Sequence, residues 1–98
     1  MFSIRFAKGA VGELEGVVPH ARGRIIDAIE EGLRAHPLIP SRNRKELIGL
    51  VPPWEQVRPV WELRVGEYRV FYDVDTAARG VIVRAIRHKG PKTTEEIL

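Results

Sequence analysis

The chain contains no cysteine. Disulfide cross-links and thiolate metal or redox chemistry are therefore excluded, which fits a reducing compartment. The three histidines, His20, His36 and His88, lack ligand-like spacing, so a zinc site is not expected. No stretch approaches the ~18 apolar residues that a membrane-spanning helix needs, and no membrane partner is expected. The first residues, MFSIRFAKGA, carry Arg5 and Lys8 and lack the apolar heart of a signal peptide. They read as mature sequence, and a cytoplasmic location is expected. Phosphate-loop, nucleophile-elbow and dinucleotide fingerprints are missing too, and Gly9 and Gly12 belong to no such pattern. No cofactor is expected. Repeats and low-complexity tracts are likewise absent.

What remains is a chain of 98 residues, 44% of them apolar. That is enough for one core and one domain spanning residues 1–98. Sixteen basic residues outnumber 13 acidic ones, a mild excess that a solvated surface would explain. Their placement is more informative. Glu13, Glu15, Asp27, Glu30 and Glu31 fall in the first third, whereas Arg58, Arg64, Arg69, Arg79, Arg84 and Arg87 crowd the second half. A basic sheet joined to a more acidic helical layer fits a polyanion footprint.

The segment WELRVGEYRVFYDVD, residues 61–75, predicts a β-hairpin. Alternation puts Trp61, Leu63 and Val65 on one face with Tyr68, Val70, Tyr72 and Val74. Gly66-Glu67 suits a type II′ turn, which takes glycine first. Val65 then faces Tyr68, and Arg64 faces Arg69. Like charges directly across a ladder destabilise it, unless something anionic sits on them.

Around this hairpin the pattern predicts a strand at Phe2–Ala7, a turn or two of helix within Val11–Val18, and a helix over Ala21–Ala35 with Pro19 in its first turn. Ile25, Ile26, Ile29 and Leu33 form the expected apolar stripe, and His36-Pro37 ends the helix. Residues 37–59 hold five of the seven prolines and predict a long irregular segment, with a short strand or turn at Lys45–Leu50. A last strand is expected at Val81–Arg87, and Thr93 to Leu98 reads as a capped helical start. The expected fold is α+β: an N-terminal strand, two helices packed on one face, then a three-stranded antiparallel meander. If Val74 pairs with Val81, Arg69 lies opposite about Ile86.

One end of that meander gathers Arg64, Arg69, Arg87, His88 and Lys89, with Glu62 on the Arg64 face of its own strand. RNA is cut without metal when its 2′-OH attacks the adjacent phosphate, which requires a base, an acid and cations. Glu62 and His88 are candidate proton carriers, and Arg69 with Arg64 a candidate phosphate clamp. A cross-strand ion-pair network of Arg64, Arg69 and Glu62 is the plainer alternative. The basic run Arg42, Arg44 and Lys45 is either an exposed loop or a nucleic-acid contact. Trp61 reads as core, Trp54 as packing or contact, and His20 and His36 as surface or capping residues.

These residues resemble the RelE/ParE superfamily of toxins from bacterial type II toxin–antitoxin pairs. The likeness rests on WELRVGEYRVFYDVD followed by VIVRAIRHKG, which parallel the family's L-R-x-G-x-Y-R hairpin and its last strand ending in a basic pair. It implies a RelE-like, microbial-RNase-like fold and a neutralising antitoxin. It also implies a metal-independent, ribosome-dependent mRNA endonuclease that inhibits translation. Carried over, Arg69 matches the arginine that contacts the scissile phosphate, and Arg64 the strand arginine before the turn. His88 and Lys89 match the terminal basic pair, and Glu62 with His88 resembles the acid–base pairs of other ribosome-dependent members. Lys89, Arg87, Arg44 and Lys45 would then steer RNA. The best-known RelE nucleases have two lysines where this chain has Val60 and Glu62, and a C-terminal tyrosine that the tail GPKTTEEIL lacks. The resemblance accordingly leaves two alternatives: a ParE-like inhibitor of DNA gyrase without enzymatic activity, and a degenerate member that only holds its antitoxin.

Overall fold

The computed structural model describes residues Met1–Leu98. The chain runs through β1 (Ser3–Phe6), α1 (Lys8–Glu15), α2 (Pro19–Leu33), β2 (Arg44–Glu46), β3 (Trp61–Val65), β4 (Tyr68–Asp75), β5 (Gly80–His88) and α3 (Thr94–Ile97). Five strands form one sheet in the order β1-β5-β4-β3-β2. The expected meander is its centre. It is extended by β2, antiparallel to β3, and by β1, parallel to β5. The continuous apolar run Val81-Ile82-Val83 marks the stretch of β5 held between two neighbours, all three residues being buried. No helix is long and apolar enough to cross a membrane.

The hairpin has the expected register, with Val65 opposite Tyr68 and Arg64 opposite Arg69. Gly66 has φ +58° while Glu67 stays at negative φ, the sign pattern of a type II′ turn. Between β4 and β5, Val74 does pair with Val81, but Arg69 lies opposite Arg87 rather than Ile86. A bulge is responsible. Tyr72 pairs with Val83 and Phe71 with Ala85, which leaves Arg84 as an extra residue. Arg84 donates to the fully buried Asp73 from Nε at 2.8 Å and Nη2 at 3.3 Å.

Ala21, Ile25, Ile29 and Leu33 form the buried stripe of α2. The expected Ile26 is instead 40% exposed, because residues four apart line up and Ile26 sits a step round the helix. This stripe packs on Trp61, Leu63, Val70 and Tyr72. Phe71 and Ala85 point to the other face, where Ile97 of α3 covers them beside Leu47, Trp54 and Leu98. Helices therefore flank both faces, correcting the one-sided layer expected from sequence. Trp54 packs 5.5 Å from the Phe71 ring. The tail is capped as expected, with Thr93 and Glu96 forming a capping box; the hydrogen bonds from Thr93 hold the Glu96 carboxyl below its ordinary range.

Strand β2 begins at Arg44, one residue before the expected span, and ends at Glu46. The proline-rich segment ahead of it is tied to the core by Tyr72, whose hydroxyl donates to the Pro37 carbonyl at 2.6 Å. Burial pushes the Tyr72 phenol well above its ordinary pKa. Tyr72→Phe would leave that carbonyl without its donor and is expected to cost about 1 kcal/mol. Urea unfolding checks this; an unchanged midpoint would show that the bond contributes nothing.

Candidate functional site

On the face opposite α1 and α2, a cavity of about 350 Å³ is lined by Ser41, Arg42, Asn43, Arg44, Lys45, Glu62, Arg64, Arg69, Lys89 and Thr94, with no apolar residue among them. Three parts of the fold build it. Alternation sends Glu62 and Arg64 of β3 and Arg69 of β4 to this face. The pairing of β2 with β3 sets Lys45 opposite Glu62. The backbone after β5 turns back, with the Lys89 N–H donating to the Glu67 carbonyl at 2.7 Å, and delivers Lys89 to the rim. Six cationic side chains thus surround one carboxylate. Such a concave surface concentrates anions and favours those with several negative oxygens.

The two central arginines differ. Arg69 is held from inside: its Nε lies 3.0 Å from Glu62, and its Nη1 donates to the carbonyls of Gly66 at 2.9 Å and Tyr68 at 2.8 Å. Its side chain is 11% exposed and that of Glu62 only 4%. Thr94 of α3 closes the clasp with a long hydrogen bond to Glu62, 3.5 Å. Only Nη2 of Arg69 has no partner within the protein. Arg64 is exposed and has no carboxylate partner, so the plain ion-pair network is realised for Arg69 and not for Arg64. The like-charge pair is relieved on one side and left open on the other.

Six of the eight candidates therefore meet at one cavity: Glu62, Arg64, Arg69, Lys89, Arg44 and Lys45. Arg44 lines it with its head turned away, donating from Nε to the Ile39 carbonyl at 2.8 Å and from Nη1 to Gly32 at 3.2 Å. It fastens the loop rather than offering a free cation. Arg87 is not at the cavity. Its Nε donates to the Ile97 carbonyl at 2.9 Å, its Nη1 pairs with Glu13, and its guanidinium lies 5.2 Å from the Trp54 ring. Burial lowers its pKa.

His88 is also elsewhere. It pairs with Tyr68, so it projects to the helix-bearing face while Glu62 projects to the other. There it meets the Tyr68 ring edge-on at 5.1 Å and lies 3.6 Å from Glu67, in a hollow shared with His20 and Arg24. The expected exchange of protons between Glu62 and His88 would have to cross the sheet. The physical reason is the bulge at Arg84, which shifts the end of β5 by one residue and with it the faces of Arg87 and His88.

Ser41, Asn43 and Thr94 were missed from sequence, and Arg42 was seen only as part of a basic run. That run was the available signal; its neighbourhood with Arg64 depends on the three-residue strand β2, too short to show alternation.

A family model described as "ParE toxin of type II toxin-antitoxin system, parDE" matches residues 4–90. Among curated sequences nothing matches. Three solved structures share the fold. The archaeal RelE–RelB complex from Pyrococcus horikoshii OT3 superposes with a TM-score of 0.71 at 18% identity, covering 92% of this chain and 97% of that one. The toxin–antitoxin complex RelBE2 from Mycobacterium tuberculosis gives 0.64 at 22% identity, covering 89% and 96%. The RelB–RelE complex from Methanococcus jannaschii gives 0.61 at 29% identity, covering 85% and 87%. With nearly the whole chain matched, from the first strand through Gly90, it belongs to the ParE toxin family, within the RelE/ParE superfamily of type II toxin–antitoxin toxins.

Proposed function

We propose that this toxin acts on RNA: it docks a phosphodiester of ribosome-bound mRNA in the basic cavity and cleaves it without metal, arresting translation in the cytoplasm. The observation that carries this reading is the cavity itself, which no apolar side chain lines and where Arg42, Lys45 and Lys89 accompany the open Arg64 and the unpartnered Nη2 of Arg69. In the reaction the 2′-oxygen forms a bond to phosphorus and the bond from phosphorus to the 5′-oxygen breaks, leaving a cyclic phosphate and a 5′-hydroxyl. Arg64 and Nη2 of Arg69 stabilise the charge that builds on the phosphorane oxygens. Glu62, the one carboxylate at the cavity, accepts the proton of the 2′-hydroxyl. An ammonium of the cavity, Lys89 or Lys45, protonates the departing oxygen. His88 has no part in this assignment, because it lies on the other face.

A cognate antitoxin is the second partner. Three of the related structures are toxin–antitoxin complexes, and an antitoxin that laid carboxylates over the cavity would neutralise it by occupying the phosphate site.

Inhibition of DNA gyrase is the rival reading, favoured by the ParE description of the matching family and by the separation of His88 from Glu62. Induction of the toxin in cells lacking the antitoxin separates the two. RNA cleavage is expected to give mRNA ends inside translated codons, whereas intact mRNA with an induced DNA-damage response would refute it.

A further inference from the structure

Register fixes which side chains meet in the basic cavity. Lys45 stands directly opposite Glu62, and Arg64 opposite Arg69, so all four share the face opposite α1 and α2. Lys89 follows His88, whose side chain projects to the other face, and reaches the rim. Arg42 completes the ring from the tip of the turn between Ser41 and Arg44. That turn is tied down on two sides. The Asn43 carbonyl accepts from the Arg64 N–H at 2.7 Å, and the Arg44 guanidinium donates to the carbonyls of Ile39 and Gly32.

Charge in this cavity is out of balance. Glu62, its one carboxylate, is already neutralised by Arg69 at 3.0 Å and its side chain is almost wholly buried, so it repels an incoming anion little. Arg42, Lys45, Arg64 and Lys89 line the same space without an ion pair or a side-chain hydrogen bond within the protein. Four like charges crowded into a cavity of about 350 Å³ repel one another, and an anion of matching charge relieves that repulsion. An RNA strand matches it poorly. Each of its phosphates carries one charge, and a whole sugar separates it from the next. In a linear polyphosphate a single oxygen separates neighbouring phosphates, and three of them carry about four negative charges near neutral pH. Their oxygens are acceptors for the guanidinium forks and the ammonium groups alike.

We propose that the cavity is a polyphosphate site that takes a linear chain of three phosphates, as inorganic triphosphate or as the tail of a nucleoside triphosphate. Arg64 and Nη2 of Arg69 meet the chain from the sheet, and Arg42, Lys45 and Lys89 meet it from around the rim. Binding of such a chain needs no RNA, and a filled cavity withholds the same cations from any RNA phosphate.

Calorimetric titration of the full chain at low salt, without magnesium, tests this. Affinity is expected to rise roughly 10-fold or more at each step from inorganic monophosphate to diphosphate to triphosphate. One chain should bind per protein. Tetraphosphate should gain little more, because the free cations are then matched. The sharpest comparison is with a uridine trinucleotide bearing a 5′-phosphate, which has three phosphates and about the same charge spread along a sugar backbone. Triphosphate is expected to bind roughly 10-fold tighter than it, or more. Arg64→Ala and Lys45→Ala, both at exposed positions, should each weaken triphosphate roughly 10-fold. Arg5→Ala, on the strand at the far edge of the sheet, should leave it unchanged. ATP bound as tightly as inorganic triphosphate assigns the chain to nucleotides, and ATP bound far more weakly assigns it to inorganic polyphosphate. Triphosphate bound no tighter than the trinucleotide, or weakened as much by Arg5→Ala as by Arg64→Ala, overturns the polyphosphate site and leaves the RNA reading standing. Tight triphosphate with no binding of the trinucleotide overturns the RNA reading alone. Binding of neither overturns both.

Discussion

Arg69→Ala is expected to abolish growth arrest and, at the same time, to lower folding stability by about 3–5 kcal/mol. The two losses have different origins. In the proposed reaction, growth arrest would depend on Nη2, the guanidinium nitrogen of Arg69 without a protein partner. Stability depends on Nε and Nη1, which neutralise Glu62 and satisfy the carbonyls of Gly66 and Tyr68. Removing the guanidinium leaves a carboxylate buried to 4% side-chain exposure without its countercharge, and a stranded charge costs more than the pair ever contributed. Loss of toxicity in Arg69→Ala alone would therefore be ambiguous. Arg69→Met combined with Glu62→Met removes both charges and is expected to restore most of the stability, since apolar residues of similar volume replace buried ion pairs at little cost. Toxicity should stay lost. A stable double variant that still arrests growth would refute the assignment of Arg69.

Asp73→Ala is expected to cost about 3 kcal/mol while leaving RNA binding untouched. Asp73 is fully buried and clasps Arg84, itself 11% exposed, outside the cavity. The only other carboxylate near Arg84 is the exposed Glu55 at 3.6 Å, which lies too far out to replace the two-point contact. For a domain of this size the loss corresponds to roughly 10–20 °C in melting temperature. Calorimetry measures it, and RNA binding well below the melting range should match that of the natural chain. A melting temperature within a few degrees of the natural chain would mean that the bulge places Arg84 without stabilising the sheet. The pair of experiments thus distinguishes a clasp that holds the fold from one that also faces a ligand.

The hairpin was legible because alternation is strict from Trp61 to Asp75 and a single glycine of the right kind marks the turn. Both arginines of the site follow from it directly. His88 did not follow, because a bulge is a one-residue event with no pattern of its own, and one residue exchanges the faces of everything beyond it. Arg87 lies opposite Arg69 on the cavity's own face, but its guanidinium is taken up by Ile97, Glu13 and the Trp54 ring. Placement around the cavity is therefore legible where the ladder is regular and not where it is interrupted. Strand β1 was visible as a strand, but its parallel partner was not. That pairing is set by long-range packing, and the only local hint was the unbroken apolar run at Val81–Val83. The stripe of α2 was misread at Ile26 because side-chain type outweighed spacing: Ala21, small but correctly placed, is buried in its stead. Thr94 reaches the cavity only because Ile97 anchors α3 over Phe71 and Ala85, a contact with no echo in local sequence.

If the cavity docks a nucleic-acid backbone, counterions must leave when it does so. The most direct examination is the slope of binding affinity against salt for a short single-stranded RNA, compared between the natural chain and Arg64→Ala. Each phosphate contact contributes about 0.7 to that slope. The natural chain should show a steep slope, and loss of Arg64, the exposed cation without an internal partner, should reduce it by about 0.7. A slope near zero, or one that Arg64→Ala leaves unchanged, would show that these guanidinium groups meet no phosphate.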